Sequence, residues 1–277
     1  MIDLKTKGYT VIPNFLTQEE IDIFLADYNK VRTNSLTNHP QYVSRASLDL
    51  PRKIFSKLTQ VSKSSGLKID MLTPGAIYTS TESMDMEWHQ DHQSYYFEQQ
   101  LYNYLNFYII LEKDDPMLSG LSVIPFDALA ELAPDHVDKF INSGAKRLQP
   151  EDKTTRIYDD DIGKEWILPI NIEDIKESPK LSAGDLLLIR GDTIHKTQDV
   201  LTKRVAISIR CSDSSAPISL KKIRQGGQYK KDWLTNFKFE LAFENGNIDT
   251  MPLQEFYARI IPGKYTSKFY CLMESTD

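Results

Sequence analysis

Between Lys68 and Arg210 the chain breaks into short apolar segments bounded by Gly, Pro, Asp or Ser, and no other feature constrains the fold as much. Ile69–Leu72, Ala76–Thr79, Asn106–Leu111, Leu121–Ile124, Ile167–Ile170, Asp185–Ile189 and Arg204–Arg210 have strand length, and several are rich in β-branched or aromatic residues. So many short strands without helices between them argue against βαβ units and for an antiparallel sandwich or barrel.

Helices are expected mainly before this region. Thr17-Gln18-Glu19-Glu20 fits a capping box, in which the threonine hydroxyl and the glutamate each satisfy a free backbone N–H. Ile21, Phe24, Leu25, Tyr28 and Val31 then recur at helical spacing. Upstream, Gly8-Tyr9-Thr10-Val11-Ile12-Pro13 reads as a short strand ended by proline. A second helix is expected from Pro51, with Ile54, Phe55, Leu58 and Val61 inward. A third runs from about Asp127 to Ile141, with Gly144 near its end, and Trp233, Phe237 and Leu241 suit a late outer helix. The polar stretch Lys146–Lys164 reads as a surface loop and candidate lid, with Asp159-Asp160-Asp161 as solvated charge. No repeat or linker divides the 277 residues. One domain over 1–277 is expected: helices over about 17–65, a core over about 68–212 and an extension over about 225–277.

The formal charge is −6, from 33 basic and 39 acidic residues without a basic cluster, which disfavours nucleic-acid binding. Apolar runs such as Phe107–Leu111 are too short to span a bilayer. Met1-Ile2-Asp3-Leu4-Lys5 is no export signal, and Cys211 and Cys271 are too few for a disulfide scaffold, so cytoplasm is the default expectation. The oligomeric state is not legible.

Of the five histidines, His39 and His136 sit in polar, helix-flanking contexts. His89-Gln90-Asp91 puts an imidazole and a carboxylate two residues apart, on one face of an extended segment. His195 ends a second patterned segment, Gly184-Asp185 followed by an apolar strand and the turn Gly191-Asp192. Two imidazoles and one carboxylate on one face of a metal form the triad associated with non-heme Fe(II), which leaves positions open for oxygen chemistry. Arg204 opens a strand on which it shares a face with Ala206, Ser208 and Arg210. Its planar fork suits a carboxylate, such as the far end of a metal-bound dicarboxylate.

In these segments the chain resembles the phytanoyl-CoA dioxygenase-like branch of the Fe(II)/2-oxoglutarate oxygenases. The resemblance is collinear: Gly8–Thr17, Trp88-His89-Gln90-Asp91, Ser119-Gly120-Leu121-Ser122-Val123-Ile124-Pro125, Ala183-Gly184-Asp185 leading to His195, and Arg204-Val205-Ala206-Ile207-Ser208. It does not extend past Gln225. It implies a mainly β fold with flanking helices around a double-stranded β-helix, the jelly-roll or cupin-like core. It also implies His89, Asp91 and His195 as iron ligands, Arg204 on the distal carboxylate of 2-oxoglutarate, and Thr197 and Tyr108 as further co-substrate contacts. The cofactors implied are Fe(II), 2-oxoglutarate and O2, with ascorbate as a reductant. The activity implied is hydroxylation or desaturation of a small molecule with release of succinate and CO2. Halogenating relatives replace the carboxylate that Asp91 supplies here. Where the family often has Pro-Gly-Ser-His, this chain has Pro125-Phe126-Asp127-Ala128, so the acyl-CoA substrate is not carried over.

Trp88, Tyr95, Tyr96 and Phe97 surround the motif and are candidates for a substrate wall or for core packing. Arg210 suits an anionic substrate or a structural ion pair. His92 points away from the face of Asp91 and reads as structural. Two alternatives stay open: a zinc hydrolase built on His89, Asp91 and His92, and a non-catalytic jelly-roll that binds a ligand or partner.

Overall fold

The computed structural model describes residues 4–33, 44–45, 49–73, 76–81, 85–92, 95–96, 99, 104–199, 201–228, 230–231, 241–244 and 248–260. In chain order the strands are β1 (Tyr9–Ile12), β2 (Ser44–Arg45), β3 (Met71–Leu72), β4 (Ile77–Ser80) and β5 (His89–Gln90). Next come β6 (Tyr104–Lys113), β7 (Leu121–Val123), β8 (Lys146–Pro150), β9 (Thr155–Asp159) and β10 (Lys164–Leu168). The series closes with β11 (Leu186–Arg190), β12 (His195–Thr197), β13 (Arg204–Ser212), β14 (Pro217–Ser219) and β15 (Thr250–Pro252).

Two antiparallel sheets face each other. The larger is ordered β1-β11-β6-β13-β4-β2 with β3 also on β13; the smaller is ordered β10-β9-β8-β5-β12-β7. Successive core strands alternate between them: β4 lies in the first, β5 in the second, β6 in the first, β7 and β8 in the second. β11, β12 and β13 repeat the alternation. This winding is the double-stranded β-helix, so the jelly-roll expectation stands.

The larger sheet is covered on both faces, which explains why β6 reads as a nearly continuous apolar run. Phe107, Ile109 and Leu111 face outward with Leu186, Leu188, Ile207 and Ile209, against helices α1 (Gln18–Thr33), α2 (Asp49–Lys53) and α3 (Phe55–Ser65). Phe24, Ile54 and Leu58 are the buried helical partners. Tyr108, Ile110, Leu187, Ile189 and Ala206 face inward. The capping box forms as expected: Thr17 N–H donates to Glu20 Oε2 at 2.8 Å, and Glu20 N–H to the Thr17 hydroxyl at 3.3 Å. α3 ends at Gly66, whose φ of 74° is the left-handed conformation that glycine adopts at little cost.

Two expectations are corrected. Lys146–Lys164 is no surface loop: it forms β8, β9 and the start of β10, which extend the smaller sheet. Leu148 and Ile157 are buried while their neighbours are polar, so period-two burial operates with few apolar residues to show it. Its acidic run is paired: Asp159 with Lys146, Asp160 with Arg147 and His92, Asp161 with Lys230. The expected Asp127–Ile141 helix is α4 (Phe126–Leu132) followed by a 3-10 turn, Pro134–Lys139. Pro134 has no N–H to continue α4 and drives Ala133 out of the helical region, to φ −140°.

Beyond the core, α5 (Leu220–Arg224), α6 (Leu241–Glu244) and α7 (Leu253–Ile260) pack with the antiparallel β14–β15 pair. Leu241 opens α6; Trp233, Phe237, Phe97, His39 and Cys271 lie outside the described residues. Among the described residues no helix is long and apolar enough to cross a membrane.

Candidate metal centre

His195 on β12 and His89 on β5 are register partners in adjacent strands of the smaller sheet. Both imidazoles therefore leave the sheet on the same, inner face. Asp91 follows β5 and returns to that face two residues after His89. Nε2 of His89 lies 3.6 Å and Nε2 of His195 3.8 Å from Asp91 Oδ1, and all three side chains are buried. The possible ligand atoms lie within 4.8 Å of one another.

Backbone carbonyls fix both rings. Nδ1 of His89 lies 2.7 Å from the Glu87 carbonyl, and Nδ1 of His195 lies 3.0 Å from the Thr193 carbonyl. A carbonyl only accepts, so each Nδ1–H donates, which leaves Nε2 as the ring atom aimed at Asp91. Burial, with the neighbouring His89, pushes the His195 imidazole down to about 4, so it is neutral at ordinary pH. Burial alone would raise the Asp91 carboxyl, but the His89 contact and the Arg210 charge hold it below the usual carboxylate range. Neutral imidazoles and an ionised carboxylate are the forms that ligate a divalent metal. This donor set fits a first-row metal with open positions.

The triad opens into a cavity of about 180 Å³ between the sheets. The smaller sheet and its flanking segment contribute Met86, Leu121 and Thr197 beside the triad, while Ile77, Thr79, Asn106, Tyr108, Arg204, Ser208 and Arg210 come from the larger. Arg204 is buried and donates from Nη1 to the Ser119 carbonyl at 3.2 Å. Its Nε, the Tyr108 hydroxyl and Thr79 Oγ1 are buried with no hydrogen-bond partner among the described residues. Each such group costs about 1–3 kcal/mol if left unsatisfied. Thr197 Oγ1 accepts the Met86 N–H at 3.1 Å and keeps its own hydrogen to donate. A guest bearing carboxylate oxygens would satisfy these groups, so the residues present fit a dicarboxylate as well as a metal.

Sequence reasoning missed Lys113, the register partner of Arg204 on β6. Burial and the Arg204 charge push its ammonium down to about 8; it donates to the Pro116 carbonyl at 3.2 Å and lies behind Arg204, outside the cavity lining. Asn106 was also missed; it accepts a hydrogen bond from Ser208 Oγ at 2.7 Å, and only the register of β6 on β13 reveals the pairing.

Other expected site residues lie elsewhere. Trp88 precedes His89, so strand alternation turns it to the opposite face, into a cluster with Leu129 and Phe140. Its Nε1 donates to Glu173 at 2.6 Å. Tyr95 donates to Asp161 at 3.1 Å and lines a separate cavity of about 410 Å³. Tyr96 is buried in the cluster that includes Phe243 and Phe256. The structure therefore does not bring Trp88, Tyr95 or Tyr96 to the triad cavity. His92 contacts Asp160 at 2.8 Å, which takes it out of the ligand set that a zinc hydrolase reading would need.

No family model and no curated protein matches the sequence. Solved structures do share the fold. EctD from S. alaskensis, crystallised with 2-oxoglutarate and 5-hydroxyectoine, superposes with a TM-score of 0.50 at 11% identity over 78% of this chain and 75% of that one. SnoK, a non-heme alpha ketoglutarate dependent carbocyclase from nogalamycin biosynthesis, gives 0.49 at 13% over 84% and 87%. HygX from Streptomyces hygroscopicus, with nickel and 2-oxoglutarate bound, gives 0.48 at 12% over 76% and 84%. The EctD likeness shows the fold.

Proposed function

We propose that this chain is a non-heme Fe(II)- and 2-oxoglutarate-dependent oxygenase that hydroxylates or desaturates an unactivated C–H bond of a small molecule. The convergence of His89, Asp91 and His195 at a cavity that also holds buried Arg204 carries this reading. The shared fold with EctD, a protein crystallised with 2-oxoglutarate, supports it. The collinear motifs resemble the phytanoyl-CoA dioxygenase-like branch, and the acidic charge without a basic cluster argues against a nucleic-acid partner.

When bound, iron with 2-oxoglutarate and O2 supplies the oxidant for the C–H bond, with succinate and CO2 as the other products. Nε2 of His89, Nε2 of His195 and Asp91 would hold the metal, and the cavity they border would admit the co-substrate. Arg204 would hold the distal carboxylate, and the Thr197, Tyr108 and Thr79 hydroxyls, which line the same cavity, would be the further donors to the co-substrate. Ile77, Met86 and Leu121 give the cavity an apolar wall against which a substrate would pack.

A succinate-release screen against pooled metabolites, with iron and ascorbate supplied and oxygen consumption followed, tests the reading. Succinate that requires iron, 2-oxoglutarate and O2 is expected. Failure to bind 2-oxoglutarate with iron present overturns it in favour of a non-catalytic binding protein, and substrate turnover without oxygen points to a hydrolase.

A further inference from the structure

Asp91 differs from the two histidines in how it is held. His89 and His195 lie on paired strands, whereas Asp91 lies just beyond the end of β5 and is tied down by its carbonyl, which accepts the Ala145 N–H at 3.2 Å. Its two carboxylate oxygens have different surroundings. Oδ1 faces both imidazole Nε2 atoms, while Oδ2 faces Arg210, whose Nε is 4.0 Å away. Among the described residues these three are the partners of Asp91 at ion-pair distance.

Arg210 comes from the opposite sheet and is rigidly placed. Its backbone pairs with Asn106 of β6, and its carbonyl accepts from the Thr73 N–H at 2.8 Å and the Thr73 hydroxyl at 3.1 Å. Its side chain is largely buried in the wall of the cavity that holds the triad. A fixed cation on one oxygen of a carboxylate leaves the other oxygen free for a second cation.

From this geometry we infer that Arg210 is a positioning residue for the metal. Its Nε lies 4.0 Å from Asp91 Oδ2, an electrostatic contact across the cavity rather than a hydrogen bond, and that charge would hold Oδ2 so that Asp91 presents Oδ1 alone as the ligand. The inference rests on the metal-site reading above and adds a residue outside the ligand set. A charge acting on its own would repel a divalent ion, so removing it would tighten metal binding. A positioning role gives the opposite sign.

Co(II) binding to the full-length, metal-free protein separates the two, with affinity from titration and ligand geometry from the visible absorption bands. Arg210→Gln is expected to weaken Co(II) binding about 10- to 100-fold and to alter the bands. Arg210→Lys is expected to recover part of the affinity, and it carries the test if the glutamine variant does not fold. In an Asp91→Asn background, Arg210→Gln should change affinity little further, because it acts through Asp91. Unchanged affinity and bands in a folded variant, or tighter binding with unchanged bands, overturns the inference. If His195→Ala leaves wild-type Co(II) binding intact, the metal-site reading itself fails, and that result is distinct from the others.

Discussion

His195 stands directly across the β5–β12 pairing from His89, with the ring centroids 4.3 Å apart. Strand register alone thus places two of the three proposed ligands, and each Nδ1 faces a backbone carbonyl, of Glu87 or Thr193. Asp91→Ala and His195→Ala are each expected to abolish iron-dependent turnover and to lower Mn(II) affinity by more than about 100-fold, as read by calorimetric titration. Full activity in either variant would remove that residue from the ligand set.

Arg204 should act on the co-substrate and leave the metal alone. Its Nη1 is committed to the Ser119 carbonyl, while its Nε is the buried donor left for a carboxylate. Arg204→Gln is expected to raise the KM for 2-oxoglutarate by about 10- to 100-fold, the equivalent of a charged hydrogen bond, with Mn(II) affinity unchanged. A keto acid that lacks the distal carboxylate should bind the variant and the wild type equally. A shared loss for both acids would move Arg204 to the metal end of the cavity.

The family resemblance joined His195 to the other site residues, whereas His89, Asp91 and Arg204 were legible in local spacing, a two-residue step across the end of β5 and alternation along Arg204, Ala206, Ser208 and Arg210. Lys113 and Asn106 were not, because their places depend on which residue of β6 lies opposite which residue of β13. β8 and β9 were hidden for another reason. One buried leucine and one buried isoleucine among charged neighbours leave a pattern that composition reads as loop. The break after α4 follows from Ala133-Pro134, where the proline cannot continue the helix. Trp88 shows the cost of reading proximity in sequence as proximity in space, since one step along a strand reverses the face.

Glu173 braces the two histidine strands from outside. Its Oε1 accepts from Trp88 Nε1 and Lys196 Nζ, both at 2.6 Å, and these residues flank His89 and His195. Burial would raise this carboxyl, but Lys176, Lys196 and Trp88 lower it to about 2. A carboxylate with a lowered folded pKa stabilises fully above its unfolded value and loses that contribution as pH falls through the folded value. Glu173→Gln is therefore expected to cost about 2 kcal/mol at neutral pH, and the gap to wild type should close as pH falls from about 4.5 towards 2. Urea denaturation of both proteins across that range checks this, and a gap independent of pH would place the effect in packing.

Arg190 and Asp192 form a bidentate ion pair at 3.0 and 2.6 Å with both side chains essentially sealed from water. Asp192 also accepts the Asn142 N–H at 2.7 Å, and its carbonyl accepts from Gln90 Nε2, the side chain between the ligands His89 and Asp91. Removing one partner strands a buried charge, so Asp192→Asn is expected to lower stability by about 3–5 kcal/mol. Replacing both partners with apolar residues should cost less than either single change, because no charge is stranded, although the Asn142 N–H then loses its acceptor. Because the pair also fixes the loop that holds Gln90, the folded double variant should bind Mn(II) more weakly than wild type. Equal metal affinity in that variant would confine the pair to stability and detach it from the metal centre.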